Sequence, residues 1–288
     1  MSGLAHGGHA PVLIPFMMGV SSLIVGTLID PLSGLIPLFG ILCLMASAFF
    51  VNFWRDPDRP IPKTPGVLVS PADGHIMFIR RERATGRRPS KKEAEQGGLE
   101  HDDLTGDWLP VPCIDPLKFE TEQRYEEVPK GEEHPDDVVR IAIFMSPLDV
   151  HVNRSPMAAT IERMEHRTGK GLKRGPFRAA FKKESEFNER VRTVFTSEEE
   201  LRIEVTQISG ALARTIVPWS GIGEPMRRGQ RYGMIRLGSR VDMRVPANLF
   251  TTELVSAEME NAKHPKGQFV QAGSTILFQP IAQHASVD

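Results

Sequence analysis

Hydrophobic and polar positions follow two regimes along this chain. Residues 11–29 (PVLIPFMMGVSSLIVGTLI) form an uncharged apolar run and residues 31–54 form a second. As a helix the first run would extend roughly 28 Å, close to the hydrocarbon thickness of a bilayer. Between them, Ile29-Asp30-Pro31-Leu32-Ser33-Gly34 gathers an acid, a proline and a glycine, which is turn chemistry. The pattern predicts a membrane-anchoring helical hairpin over 1–54. A cleaved signal peptide fits poorly, because no basic segment leads the run and the apolar content outlasts an ordinary signal core. A buried helix pair of a soluble protein is the alternative, and two such runs in tandem exceed ordinary core helices.

Beyond Trp54 the pattern changes. Arg55-Asp56-Pro57-Asp58-Arg59-Pro60, followed by Pro62 and Pro65, holds too many prolines for a helix and reads as a stiff connector. Short apolar runs of strand length then recur at 66–69, 75–79, 138–144, 201–205 and 240–245, several of them alternating. Residues 91–137 are dominated by Lys, Glu, Asp, Gly and Pro and read as a solvated insertion with little fixed structure. Phe177, Phe181, Phe187 and Val191 fall mostly at helical spacings and predict one helix at about 176–194. The expected architecture is mainly β (α+β). A β-sandwich or barrel-like domain over 55–288, with a few short helices, follows the hairpin.

Charge sharpens this division. The chain has 35 Lys+Arg and 36 Asp+Glu in 288 residues, yet 1–54 contains no Lys, Arg or Glu and a single Asp, Asp30. The remainder is balanced and offers no basic surplus for a phosphate backbone, so nucleic acid is an unsuitable partner. Arg55, Arg59 and Lys63 follow the second run, whereas the first ten residues carry no Lys or Arg. That asymmetry places the large domain on the cytoplasmic side of the cell (inner) membrane. Cys43 and Cys113 fit no metal or redox spacing and indicate a reduced compartment.

Three motifs could carry chemistry. Ser70-Pro71-Ala72-Asp73-Gly74 puts an acid in a turn, although Asp-Gly is also ordinary turn sequence. Ser146 to Pro156 packs Asp149, His151, Asn153 and Arg154 between prolines, with Asp149 and His151 on one face of an extended chain. A polar surface loop would look the same. In Tyr232 to Asp242, Gly238-Ser239 interrupts strand-like sequence, as a bulge or a close backbone approach would.

Taken together, SPADG, DVHVNRSP, NER at 188–190, QISGALARTIV at 207–217 and YGMIRLGSRVDMRVP at 232–246 resemble the phosphatidylserine decarboxylase family in its shorter bacterial form. The match covers most of 55–288 in the right order. Any one motif is weak, and five in sequence are specific. The resemblance implies an enzyme that converts phosphatidylserine in the membrane to phosphatidylethanolamine and carbon dioxide, the last step of phosphatidylethanolamine synthesis. Decarboxylating an α-amino acid leaves a carbanion, and no common side chain supplies the electrophilic carbonyl that would accept those electrons. In the family a pyruvoyl group does, forming a Schiff base with the substrate amine.

By that resemblance Ser239 attacks the carbonyl of Gly238, the amide becomes an ester, and β-elimination leaves a pyruvoyl group at position 239. The products would be a β chain of 1–238 and an α chain of 239–288, with a homo-oligomer possible. Glycine suits the leaving side because it lacks Cβ. A serine needs a base held by a third group, and the resemblance gives these roles to His151 and Asp73. His151 is also the expected proton donor in turnover. Longer relatives carry a second histidine where this sequence has Arg154, which could instead hold the lipid phosphate. Asn153 and Asp149 are expected beside it at the substrate. No metal is expected, since Asp149 and His151 lack a third ligand in sequence.

Gly273-Ser274 is a decoy, because cutting there would release only a short fragment from what reads as the final strand of a lipoyl-like β-sandwich half. That likeness leaves a non-catalytic membrane-tethered adaptor as one alternative, though no modifiable lysine motif accompanies it. A decarboxylase of a related serine lipid, such as one with ether-linked chains, is the other.

Overall fold

The computed structural model describes residues 3–29, 34–84, 99–102, 107–110, 125–129, 131–135, 137–167, 188–210, 215–236, 238–254 and 267–281. Two apolar helices come first, α1 (His9–Ile29) and α2 (Leu35–Phe53). Both are long and apolar enough to cross a membrane. Their outer faces expose Leu13, Ile14, Met17, Leu28, Leu42 and Met45, each at least half accessible. The helices touch through small residues. A Cβ on Gly19 would lie 2.9 Å from the Gly40 carbonyl oxygen, and one on Gly26 would lie 2.6 Å from Pro37 Cδ. Glycine at these crossings lets the backbones approach closely, as helix pairs in lipid require.

The rest of the described chain is β. In chain order its main strands are β1 (Gly74–Ala84), β2 (Asp137–Met145), β3 (Val152–Arg154), β4 (Ala159–Arg167), β5 (Arg190–Thr196), β6 (Arg202–Ile208), β7 (Ile216–Pro218), β8 (Arg231–Ile235) and β9 (Ser239–Pro246). One antiparallel sheet runs β4-β5-β6-β9-β2-β1, with the short strands 225–226 and 269–270 at its two ends. A three-stranded sheet, β7-β8-β3, makes a second layer, and the strands 68–69, 250–251 and 276–280 form another three-stranded sheet. Val241, Val205, Ile143, Ile76, Phe195, Tyr232, Ile235 and Phe278 share one core that these layers enclose. The mainly β architecture read from alternation is therefore present, on a pair of apolar helices.

Two expectations change. The helix expected at 176–194 is overturned at its C-terminal end, where Arg190–Thr196 is strand β5, paired on both edges by β4 and β6. Val191 and Phe195 face the apolar core while Arg192 between them joins the buried ion pairs of the other face, so period two outweighs the phenylalanine spacing. Residues 176–187 lie outside the described residues. Most of 91–137 also lies outside them, but 99–102 pairs with 107–110, and 125–127 pairs with β1. The turn expected around Asp30 and Pro31 lies outside the described residues too.

The opposite face of the main sheet is charged and buried. Arg140, Arg192, Arg240 and Arg244 alternate there with Glu82, Glu165, Glu204 and Asp242, none more than 6% exposed. Arg244 bridges Glu82 (3.1 Å) and Glu204 (2.7 Å), and Arg192 bridges Glu204 (3.1 Å) and Glu165 (2.6 Å). Arg140 joins Glu82 at 2.8 Å and also pairs with Asp242, which Arg240 meets at 2.6 Å. The Phe78 ring lies under the guanidinium groups of Arg140 and Arg240. Burial pushes the Glu204 carboxyl up, but Arg244 and Arg192 outweigh it and hold it at about 2. Asp242 is held at about 2 against burial by Arg140 and Arg240.

Candidate active site

Ser239 opens β9 directly opposite Met145, the last residue of β2. Its side chain is fully buried, and its hydroxyl meets Met145 Sδ at 3.3 Å. The preceding Gly238 has φ +63° with open space where a Cβ would stand. Glycine is favoured there by the left-handed backbone and not by crowding. The bond expected to break therefore joins a left-handed residue to a buried strand.

Asn153 on β3 lies beside this serine. Its amide nitrogen donates to the Pro71 carbonyl at 3.4 Å and approaches Met145 Sδ at 3.9 Å, while its oxygen accepts from Gln207 Nε2 at 2.8 Å. Asn153 thus connects the SPADG turn, Met145 and β6. His151, two residues earlier, is fully buried. Its Nδ1 stands 2.8 Å from the Asp149 backbone oxygen, so that nitrogen carries the proton and Nε2 presents a lone pair with no hydrogen-bond partner among the described residues. Burial lowers the His151 pKa to about 4, against the opposing pull of the Asp149 carbonyl. The ring packs on Phe53, the last residue of α2, with centroids 4.3 Å apart.

The other residues singled out in the sequence sit as follows. Asp73 is buried, pairs with Arg59 (2.6 Å to Arg59 Nη2) and accepts the Ala272 amide at 2.8 Å. No hydrogen bond joins it to His151 among the described residues. The Asp149 carboxylate accepts the Ser146 amide at 2.6 Å and closes its own turn. Arg154 donates to Asp56 (3.0 Å), to the Pro57 carbonyl (2.9 Å) and to the Gly229 carbonyl (3.2 Å). It lines a cavity of roughly 710 Å³ with Arg59, Ile61, Arg227 and Arg228, on the side of β3 away from Asn153. Gly273 has φ +76°, and the Ser274 hydroxyl donates to the Pro60 carbonyl at 3.0 Å in an exposed turn, unlike the buried Ser239.

Sequence reasoning left Gln207 and Ser209 without a role inside QISGALARTIV and treated Arg59 only as a connector charge. The signal was available for the first two: Ile203, Val205, Gln207 and Ser209 alternate, so the face that buries the valine also buries the amide and the hydroxyl. Arg59 had no such signal, since its partner Asp73 is set by the path of the connector. Among the described residues no group of three His, Cys, Asp or Glu could hold a metal ion. The site does fit a carbonyl made from Ser239, because that position is shielded from water.

The family model described as phosphatidylserine decarboxylase matches residues 46–278. A phosphatidylserine decarboxylase proenzyme of Zymomonas mobilis subsp. mobilis is 32% identical over 240 residues, covering 83% of this chain and 74% of the relative. One from Solidesulfovibrio magneticus is 31% identical over 244 residues, covering 84% and 83%. A putative archaetidylserine decarboxylase proenzyme of Methanopyrus kandleri is 32% identical over 238 residues, covering 83% and 85%.

Proposed function

Because the chain belongs to the phosphatidylserine decarboxylase family, we propose that Ser239 is where it cleaves itself and where the mature enzyme carries its pyruvoyl group. The protein converts phosphatidylserine to phosphatidylethanolamine and carbon dioxide and is made as a proenzyme. One observation supports the assignment to Ser239 above all: a fully buried serine follows a left-handed glycine, and among the described residues its hydroxyl has no oxygen or nitrogen partner. A pyruvoyl group there supplies the electrophilic carbonyl that takes up the electrons left by departing carbon dioxide.

His151 is the proton carrier in this reading. The Asp149 carbonyl fixes its tautomer, and burial keeps the ring neutral at pH 7, so Nε2 can take a proton and later return it. Asp73 keeps its proposed part in chain cleavage, which requires its carboxylate to exchange Arg59 for the imidazole. Asn153 and the Asp149 turn position this machinery, and Arg154 keeps its proposed part at the lipid phosphate, which requires its guanidinium to exchange Asp56 for the phosphate. The contact between Phe53 and His151 supports the proton-carrier role, since the end of α2 is where a lipid headgroup would arrive from a bilayer. In this scheme 1–54 anchors the protein in the cytoplasmic membrane, 55–288 works on its inner side, and the α and β chains remain associated.

Intact-mass analysis of the purified protein tests the proposal. Wild type is expected as chains of 1–238 and 239–288, the second with a blocked, carbonyl-bearing terminus, and Ser239→Ala as one inactive chain. A wild type that stays whole overturns it. The Methanopyrus kandleri relative supports a second reading, a related serine lipid as substrate, which side-by-side turnover of ester- and ether-linked phosphatidylserine decides.

A further inference from the structure

Several buried polar side-chain atoms of β6 and of the segment before β3 lack a partner among the described residues. Gln207 Nε2 is committed to Asn153 Oδ1, whose own amide donors face the Pro71 carbonyl and Met145 Sδ. That network fixes the orientation of the Gln207 amide and leaves Gln207 Oε1 buried and unpartnered. On β6, Gln207 stands opposite Val241 and Ile208 opposite Arg240, so continuing the register brings Ser209 opposite Ser239. The Ser209 backbone is tied down: its N–H donates to the Glu189 carbonyl at 2.9 Å, and its carbonyl accepts from Asn188 at 2.8 Å. Its hydroxyl has no partner. His151 Nε2 is the third such atom.

This set is lopsided. Gln207 Oε1 and His151 Nε2 can only accept, and the Ser209 hydroxyl can do either. Buried acceptors without donors are costly, and a ligand that brings donors relieves that cost. A primary ammonium offers three N–H donors, whereas a carboxylate offers none and would be repelled. Resting on the decarboxylase reading above, we propose that Gln207 and Ser209, with His151 Nε2, receive the primary amine of the substrate headgroup. Gln207 Oε1 and Ser209 Oγ hold the nitrogen. One N–H bond breaks, its proton passes to His151 Nε2, and the electron pair stays on nitrogen, which is then nucleophilic. The amine end enters first and the carboxylate points away from these acceptors.

The test uses two substrates of different protonation on the full processed protein, with rates normalised to the 239–288 chain measured by mass. Phosphatidylserine in mixed vesicles arrives as an ammonium. Hydroxylamine reacts with the same carbonyl but is already neutral at pH 7. Gln207→Leu and Ser209→Ala are each expected to lower kcat/KM for phosphatidylserine by about tenfold or more, the effect of losing a hydrogen bond to a charged group. The rate of inactivation by hydroxylamine should stay within about twofold of wild type, since no charged donor is received. Equal losses for both reagents, or no loss for phosphatidylserine, overturn the proposal. Failure of both variants to process would assign the two residues to chain cleavage and overturn it as well. A wild type that hydroxylamine does not inactivate would remove the underlying reading instead.

Discussion

On the inner face of the main sheet, Ile141, Ile143, Ile203, Val205, Val241 and Met243 are fully buried among other apolar side chains. On its other face, the same strands bury Arg140, Glu204, Arg244 and Asp242 almost as completely, in a lattice of ion pairs. Apolar contact is non-directional, so the inner face accepts any arrangement that fills space. Ion pairs are directional, and a slip of one residue would carry every arginine off its carboxylate and onto the wrong face. Arg240, Asp242 and Arg244 belong to β9, the strand that begins with Ser239. The lattice therefore fixes the register of that strand, while the apolar face supplies the net drive to fold. Exchanging a whole buried pair for apolar residues is often neutral in energy, so the charged face is better understood as a source of specificity than of stability.

The sharpest way to break the comparison is Glu204→Ala, which takes one of two carboxylate partners from both Arg192 and Arg244. It should cost about 3–5 kcal/mol, read from urea unfolding in detergent, and should slow the appearance of the 239–288 chain. A loss no larger than that of a conservative core change would show the lattice to be dispensable. Acid comes next. His151 has its pKa lowered from 6.5 to about 4 in the fold, so its contribution is complete above pH 6.5 and is lost as pH falls toward 4. Glu204 and Asp242, held at about 2, add a second loss that begins as pH falls through their ordinary values of 4.5 and 3.8 and runs toward pH 2. His151→Phe should flatten the first phase alone in a stability titration. Gly238→Ala forces a side chain into the left-handed region at a cost of about 1–2 kcal/mol, with slower chain cleavage on a denaturing gel. Ile203→Val should cost only about 1 kcal/mol and leave cleavage at the wild-type rate, which would confirm that the inner face tolerates shape changes that the charged face does not.

The residues differ in how openly their sequence declares them. The helical pair was legible because 1–54 carries a single charged residue, Asp30, and that leaves few alternatives, and β2 and β9 because their apolar and polar residues alternate. Arg190–Thr196 was misread because the phenylalanines at 177, 181 and 187 suggested a helical period, whereas β4 and β6 impose period two. Within the site, Ser239 and His151 stood out by motif. The pairing of Asp73 with Arg59, the lack of any hydrogen bond from Asp73 to His151, and the free oxygen of Gln207 depend on which strands meet, and no spacing encodes that.

By itself the sequence determined an uncharged N-terminal pair of helices, a run of alternating strands and a Gly-Ser junction at their centre, since periodicity and composition are local properties of the chain. Tertiary structure alone decided that Arg140, Glu204 and Arg244 are buried, although their alternating positions look like any solvent face. It also decided that His151 is a neutral acceptor pressed against Phe53. Burial and hydrogen-bond partnership arise from segments far apart in the chain, and it is the removal of water between them that gives these side chains their chemistry.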